Sequence, residues 1–209
     1  MQDYRPLNKY TKKNQNVSPL IPQVIDRLAG CTLFTKFDIR WGYNNIRIKE
    51  GNEWKAVFLT PQGLFEPLVM FFGLTNSLAT FQAMMNKIFR MEVAQGWLSV
   101  YMDNIAIHTK PLNRESEQQH KQQHKQLIHQ VLEKLETHDL YLKPEKCEFL
   151  KREIKYLGVI VRNGVLKMNP KKLKSIKNWA TPSNPTEIRK FLGFTGYYRY
   201  FVPNYLQIA

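Results

Sequence analysis

One charged side chain interrupts an otherwise apolar run in the stretch SVYMDNIAIH, residues 99–108. Val100 and Met102 precede it, Ile105, Ala106 and Ile107 follow it, and Asp103 with Asn104 forms the polar hinge of a predicted hairpin. A second acid stands in LFTKFDIR, residues 33–40, where strand alternation puts Leu33, Thr35, Phe37 and Ile39 on one face. Phe34, Lys36, Asp38 and Arg40 take the other face. An isolated buried carboxylate is costly, so each acid needs a cation partner. The partner is either one of the 31 basic side chains or a shared divalent metal. Mg²⁺ takes oxygen ligands, usually one or two carboxylates plus substrate phosphates. Two such ions a few ångströms apart clamp an in-line phosphoryl transfer.

Charge favours a phosphate-bearing partner. The 209 residues hold 31 basic and 17 acidic side chains, a net of +14. The excess gathers in residues 151–209, with 12 basic against 2 acidic. Aromatic residues interleave with it: Tyr156, Trp179, Tyr197, Tyr198 and Tyr200. That combination suits nucleic acid, held through salt-dependent phosphate contacts and stacking. The 43% hydrophobic fraction and the 12 Phe, 10 Tyr and 4 Trp argue for a folded core. Cys31 and Cys147 make neither a disulfide framework nor a zinc quartet, which suits a reducing interior. No apolar run reaches membrane-spanning length and the first 20 residues are polar, so neither a membrane partner nor a signal peptide is expected.

Periodicity gives the order of elements. IPQVIDRLAG (21–30) reads as a short helix with Pro22 in its first turn and Gly30 as its stop. YNNIRI (43–48) and EWKAVFLT (53–60) read as a hairpin joined near Gly51-Asn52. TNSLATFQAMMNKIFR (75–90) reads as a helix capped by Thr75 or Asn76, with Leu78, Phe81, Met85 and Ile88 on its apolar stripe and Met84 and Met85 as core filler. A Gln- and His-rich stretch, 113–126, leads into the helix LIHQVLEKLETHDL (127–140). His120 and His124, four apart with no third ligand nearby, read as a solvated helix face rather than a metal site. IKYLGVIV (154–161) reads as a strand, RNGV as a tight turn, and Asn184-Pro185 as the start of a basic helix with Glu187 in its first turn. No internal repeat or Pro/Gly/Ser linker interrupts the order, and the fold class is α+β with an antiparallel sheet.

Six segments, in order, resemble reverse transcriptases. LFTKFDIRWGYNNIRI is similar to motif A, FFGLTNSLATFQ to motif B, and VYMDNI to the Tyr-x-Asp-Asp box. LYLKPEKCEF and IKYLGVIV are similar to motifs D and E, and DYRPLNKYT to the end of a fingers segment. The stretch LKSIKNWATPSNPTEIRKFLGFTGYYRYFVPNY resembles the region C-terminal to motif E in gypsy-type LTR retrotransposon Pol polyproteins. The resemblance implies that Asp38 and Asp103 hold metal, with Asn104 where the family usually has a third aspartate. It implies nucleotide contacts at Ile39 and Arg40 through the backbone, at Tyr43 beneath the deoxyribose, and at Phe72 and Gly73 in the pocket wall. Lys143 or Lys146 would protonate the pyrophosphate leaving group. Arg5, Tyr101 and Met102 would touch primer or template, with Tyr156, Leu157 and Gly158 as the primer grip.

The implied fold is a right-hand polymerase palm, an antiparallel sheet with helices on one face, plus partial fingers and a partial thumb. The implied segments are a fingers remnant over 1–12, palm over 13–45, fingers over 46–79, palm over 80–163 and a basic partial thumb over 164–209. The implied activity is RNA-directed DNA polymerisation with two Mg²⁺ ions, for which Mn²⁺ can substitute. Its partners are an RNA or DNA template with primer and deoxynucleoside triphosphates. Its setting is intracellular, in a cytoplasmic virus-like particle or the nucleus. Three departures qualify it. Asn104 removes one negative charge from the box, Phe71 and Leu78 replace family prolines, and the chain starts almost at the first motif, as an N-terminally truncated copy would. The alternative reading is a nucleic-acid-binding relic, domesticated or fragmentary, that keeps the palm without its chemistry.

Overall fold

The computed structural model describes residues 3–14, 19–112 and 115–208. Met1, Gln2, residues 15–18, Asn113, Arg114 and Ala209 lie outside the described residues, with those parts of the expected segments that contain them. The chain begins with α1 (Arg5–Tyr10) and α2 (Ile21–Asp26), then enters β1 (Leu33–Asp38). A small hairpin, β2 (Phe58–Thr60) and β3 (Gly63–Phe65), precedes α3 (Ser77–Ile88) and α4 (Arg90–Ala94). Next come β4 (Leu98–Tyr101), β5 (Asn104–Thr109) and the long helix α5 (Glu117–Thr137). Strands β6 (Glu148–Lys151), β7 (Glu153–Tyr156), β8 (Val159–Arg162) and β9 (Val165–Met168) lead to α6 (Pro170–Lys177), α7 (Pro185–Gly196) and α8 (Tyr205–Ile208).

The central sheet has the order β4-β5-β1-β6, with every pairing antiparallel. Strand alternation sends Phe37, Ile39, Ile105 and Ile107 to one face. There they pack against Phe81 and Met85 of α3 and Ile128, Val131 and Leu135 of α5. The opposite face carries Phe34 and Ala106, covered by Val24 and Ile25 of α2 and by Ile154, Val159 and Val161 of the separate β7-β8-β9 sheet. The two long helices therefore share one face, and the other is sealed by a short helix and a meander. The α+β reading stands.

Several local expectations change. The 43–48/53–60 hairpin does not form: Gly42–Asn45 and Glu53–Ala56 are 3-10 turns, and Phe58–Thr60 pairs instead with Gly63–Phe65. Alternation over a few residues cannot separate a strand from a 3-10 turn with one apolar side. Helix α2 ends four residues before Gly30, which instead donates its N–H to Gly164 O at 3.0 Å. A Cβ on Gly164 would lie 2.9 Å from Gly30 Cα, so the RNGV turn needs its glycine for close approach as well as for φ +77°. The 154–161 strand breaks at Leu157-Gly158, both at positive φ, into β7 and β8.

Asn76 precedes α3, but its side chain serves the N-terminal segment and not a cap. Leu78 leaves the expected stripe and is 50% exposed. His120 and His124 are buried, not solvated, because α5 turns that side onto the sheet. Thr109 Oγ1 lies 2.8 Å from His120 Nε2 and from His124 Nδ1, and Thr35 Oγ1 lies 2.9 Å from His124 Nε2. On the other face His108 Nε2 meets Ser99 Oγ at 2.9 Å. Burial lowers His108 and His124 to about 4. Helix α7 starts as expected: Asn184 accepts from Glu187 N–H, with Pro185 first.

Candidate active site

The β1–β5 register sets Asp38 opposite Asn104 at one end of the sheet. The polar hinge falls one residue earlier than expected. Met102 and Asp103 make the turn, Met102 at φ +54°, and Asn104 is already the first residue of β5. Ile39 N–H donates to Asp103 O at 2.9 Å, which ties the turn to the end of β1. Two acids 65 residues apart in sequence thus meet through one backbone ladder.

Each carboxylate already has company. Lys143 Nζ lies 2.5 Å from Asp38 Oδ1 and Lys146 Nζ lies 3.9 Å from Asp38 Oδ2. Lys143 is held at both ends, because its N–H also donates to Asp38 O at 2.9 Å. Asn104 Nδ2 donates to Asp103 Oδ1 at 3.1 Å. The ion-pair reading holds for Asp38, whose carboxylate meets Lys143. Among the described residues no cluster of three or more His, Cys, Asp or Glu side chains could hold a metal ion. The donor set is two carboxylates and the Asn104 carbonyl, hard oxygens that suit Mg²⁺ in kind.

Tyr43 sits on the 3-10 turn after β1, its ring 4.8 Å from Phe72 and 5.6 Å from Phe81, both edge to face. Burial, and then the charge of Asp103, raises the Tyr43 hydroxyl above its ordinary pKa. Gly42 lets this turn approach α3, since a Cβ there would stand 3.0 Å from the Phe81 ring. Gly73 has φ +106° and follows Phe72, which is 79% exposed. Arg40 lies over the Trp41 ring at 4.3 Å. At Ile39 and Arg40, where backbone contacts to a triphosphate are expected, the Ile39 N–H is bonded to Asp103 O and the Arg40 N–H to Tyr141 O at 2.7 Å.

Tyr101 ends β4, beside the turn. Tyr156 is buried, and its hydroxyl donates to Asn104 O at 3.2 Å, so the β7–β8 turn is pinned to the acidic end of the sheet. Leu157 and Gly158 form that turn, and the Tyr197 hydroxyl donates to Leu157 O. Burial drives the Tyr156 hydroxyl strongly upward, with the Asp103 charge adding to it. Arg5 is exposed and pairs with Asp3 at 2.5 Å.

Sequence reasoning misses Gln82. It is buried on α3, its Oε1 accepts from Met102 N–H at 2.7 Å, and its Nε2 donates to Asn86 Oδ1 at 2.8 Å. The amide fixes the acid-bearing turn from the helix side. The available signal is a polar residue beside Phe81 on a buried helix.

The architecture is an α+β polymerase fold. A foamy viral protease–reverse transcriptase in complex with double-stranded DNA superposes with a TM-score of 0.83 at 21% identity, over 99% of this chain and 34% of that one. The same enzyme in complex with an RNA/DNA hybrid gives 0.77, again at 21% identity, over 99% of this chain and 26% of that one. The chain belongs to the reverse transcriptase (RNA-dependent DNA polymerase) family, whose model matches residues 1–161. It is 37% identical over 207 residues to the Transposon Tf2-7 polyprotein of Schizosaccharomyces pombe, and 36% identical to the Tf2-3 polyprotein. These are gypsy-type LTR retrotransposon products, as the resemblance of the stretch after motif E implies. The match covers 99% of this chain and 15% of each polyprotein.

Proposed function

We propose that this chain is a template-directed polymerase domain that adds deoxynucleotides to a primer 3′-hydroxyl, copying RNA or DNA. The observation that carries the reading is the meeting of Asp38 and Asp103 at one sheet end, with the Tyr43–Phe72 pair beside them and the Tyr156 turn anchored to Asn104 O. Asp38, Asp103 and the Asn104 carbonyl would hold Mg²⁺, two ions in the family pattern, with Mn²⁺ able to substitute. Bound there, the cations supply Lewis acidity that makes the 3′-hydroxyl a nucleophile and offsets the triphosphate charge.

The chain's own residues do the rest. Tyr43, edge-on to Phe72, forms the floor beneath the sugar and leaves no room for a 2′-hydroxyl. Lys143 and Lys146, already at the Asp38 carboxylate, hold positive charge where pyrophosphate departs, and one or the other supplies its proton. Tyr101, Met102 and the Tyr156-Leu157-Gly158 turn carry the primer end. The lysines of α6 and the basic residues of α7, Arg189 and Lys190, take the duplex backbone, read by shape rather than by sequence. Residues 13–45 and 80–163 serve as palm, 1–12 and 46–79 as fingers, and 164–209 as thumb.

Asn104 weakens the site. An amide in place of a carboxylate lowers cation affinity, at a cost of about 10²–10³ in rate. A second reading, a palm that holds nucleic acid without chemistry, is favoured by one observation: Lys143 and Asn104 already engage the two carboxylates.

Extension of oligo(dT) on poly(rA), with Mg²⁺ and then Mn²⁺ and with Asp103→Ala as control, separates the two. Extension that disappears in the control supports the polymerase. Salt-sensitive duplex binding with no extension under either ion supports the second reading.

A further inference from the structure

Phe72 is held by little of its own. It is 79% exposed and meets Tyr43 through a ring edge at 4.8 Å. Its place is therefore set by the backbone on either side, and residues 71–76 belong to no helix or strand. That backbone is held instead by the N-terminal segment. Asn8 Nδ2 donates to Gly73 O at 2.7 Å, and Asn8 Oδ1 accepts from Thr75 N–H at 2.8 Å. One side-chain amide thus satisfies a carbonyl and an N–H two residues apart, as a neighbouring strand would. Asn76 repeats the pattern in the other direction: its Nδ2 donates to Lys12 O and its Oδ1 accepts from Asn14 N–H, both at 2.9 Å. The Tyr4 ring lies tilted against Phe71 at 5.0 Å, and its hydroxyl donates to Ala56 O.

We propose that Asn8 is a positioning residue for nucleotide selection: its amide clamps Gly73 and Thr75 and so holds the Phe72 ring against Tyr43, which sets how tightly the site fits a deoxynucleoside triphosphate and rejects a ribonucleoside triphosphate. The inference rests on the reading of the Tyr43–Phe72 pair as the nucleotide pocket. It gives residues 3–14 a role distinct from any contact with phosphate. Asparagine suits the position because its amide presents a donor and an acceptor on separate atoms, one for Gly73 O and one for Thr75 N–H. Aspartate keeps the acceptor for Thr75 and turns an oxygen against Gly73 O.

The test compares the full chain with Asn8→Asp, Asn8→Ala and, as an exposed neighbour, Lys9→Ala. Two readouts are taken: amide hydrogen exchange over residues 71–77 and 98–109, and single-nucleotide extension with dTTP and UTP. Both Asn8 variants should exchange about tenfold faster over 71–77 with 98–109 unchanged. In both, KM for dTTP should rise about fivefold, kcat should stay within about twofold, and preference over UTP should fall about fivefold. Lys9→Ala should match the parent. Unchanged exchange overturns the proposal. Faster exchange with unchanged KM and preference also overturns it, leaving Asn8 with a purely structural role. If the parent extends no primer, the polymerase reading fails by itself. The clamp is then decided by exchange together with the dTTP-to-UTP affinity ratio, measured by displacement of a fluorescent dTTP analogue from the protein–duplex complex; an unchanged ratio overturns it.

Discussion

The sheet that carries the acids and the basic C-terminal third are built to different standards. Around Asp38 and Asp103 the layers are closed on both sides: Phe37, Ile39, Phe81, Phe89, Ile105 and Ile107 are fully buried. Helix α6 buries no residue, and α7 buries only Thr195. It is held by aromatic contacts such as Trp179 with Phe191 and Phe194, at 5.7 and 5.2 Å. A site that aligns two carboxylates needs a rigid frame. A surface that tracks a phosphate backbone needs charge and reach, and tolerates looser packing.

Core truncation gives the widest contrast. Phe37→Ala should cost about 3–5 kcal/mol of folding stability, whereas Leu173→Ala on α6 should cost less than about 0.5. Denaturant melts of the two variants check this, and equal losses would erase the distinction.

Acid should act on the same frame. His108 and His124 are lowered to about 4 by burial, so the folded state holds them neutral while the unfolded chain takes up protons near 6.5. Their stabilisation is complete above pH 6.5 and is lost as pH falls toward 4, by up to about 1.4 kcal/mol per pH unit for each histidine. A His124→Gln variant should show a shallower acid slope, read as unfolding midpoint against pH. An unchanged slope would remove His124 from the account.

Gln82→Ala should be smaller again, about 1–3 kcal/mol, since it leaves Met102 N–H without its partner. It should also slow extension more than it weakens duplex binding. Least in stability and largest in binding is the triple variant Lys171→Ala, Lys174→Ala, Lys177→Ala. Melting should barely move, while the slope of log affinity against log salt should shrink by about 0.9 for each phosphate that the variant no longer neutralises. A salt slope equal to the parent's would place the duplex elsewhere.

Much of this frame is legible in the sequence. Strict alternation places Phe37 and Ile39 on their face, and Asn184-Pro185 marks the start of α7, because both signals are local. The 43–60 region misleads because its short apolar stretches fit a 3-10 turn as well as a strand. His120 and His124 mislead because polarity suggests solvent, and only the tertiary fold supplies Thr35 and Thr109 to satisfy them. The acids are legible as oddities in apolar strands. The pairing of Asp38 with Lys143 is not, since it depends on the bridge between Ile39 and Leu142 that brings Lys143 back to β1.

The most direct test asks whether chemistry and holding separate as the two regions do. Primer extension and duplex affinity are measured side by side for the parent, Asp38→Asn and Asp103→Asn. Either variant should lose at least about 10³ in extension rate, roughly 4 kcal/mol of transition-state stabilisation, with duplex affinity within about twofold of the parent. Extension that survives either substitution, or falls only in proportion to weakened duplex binding, would contradict that separation.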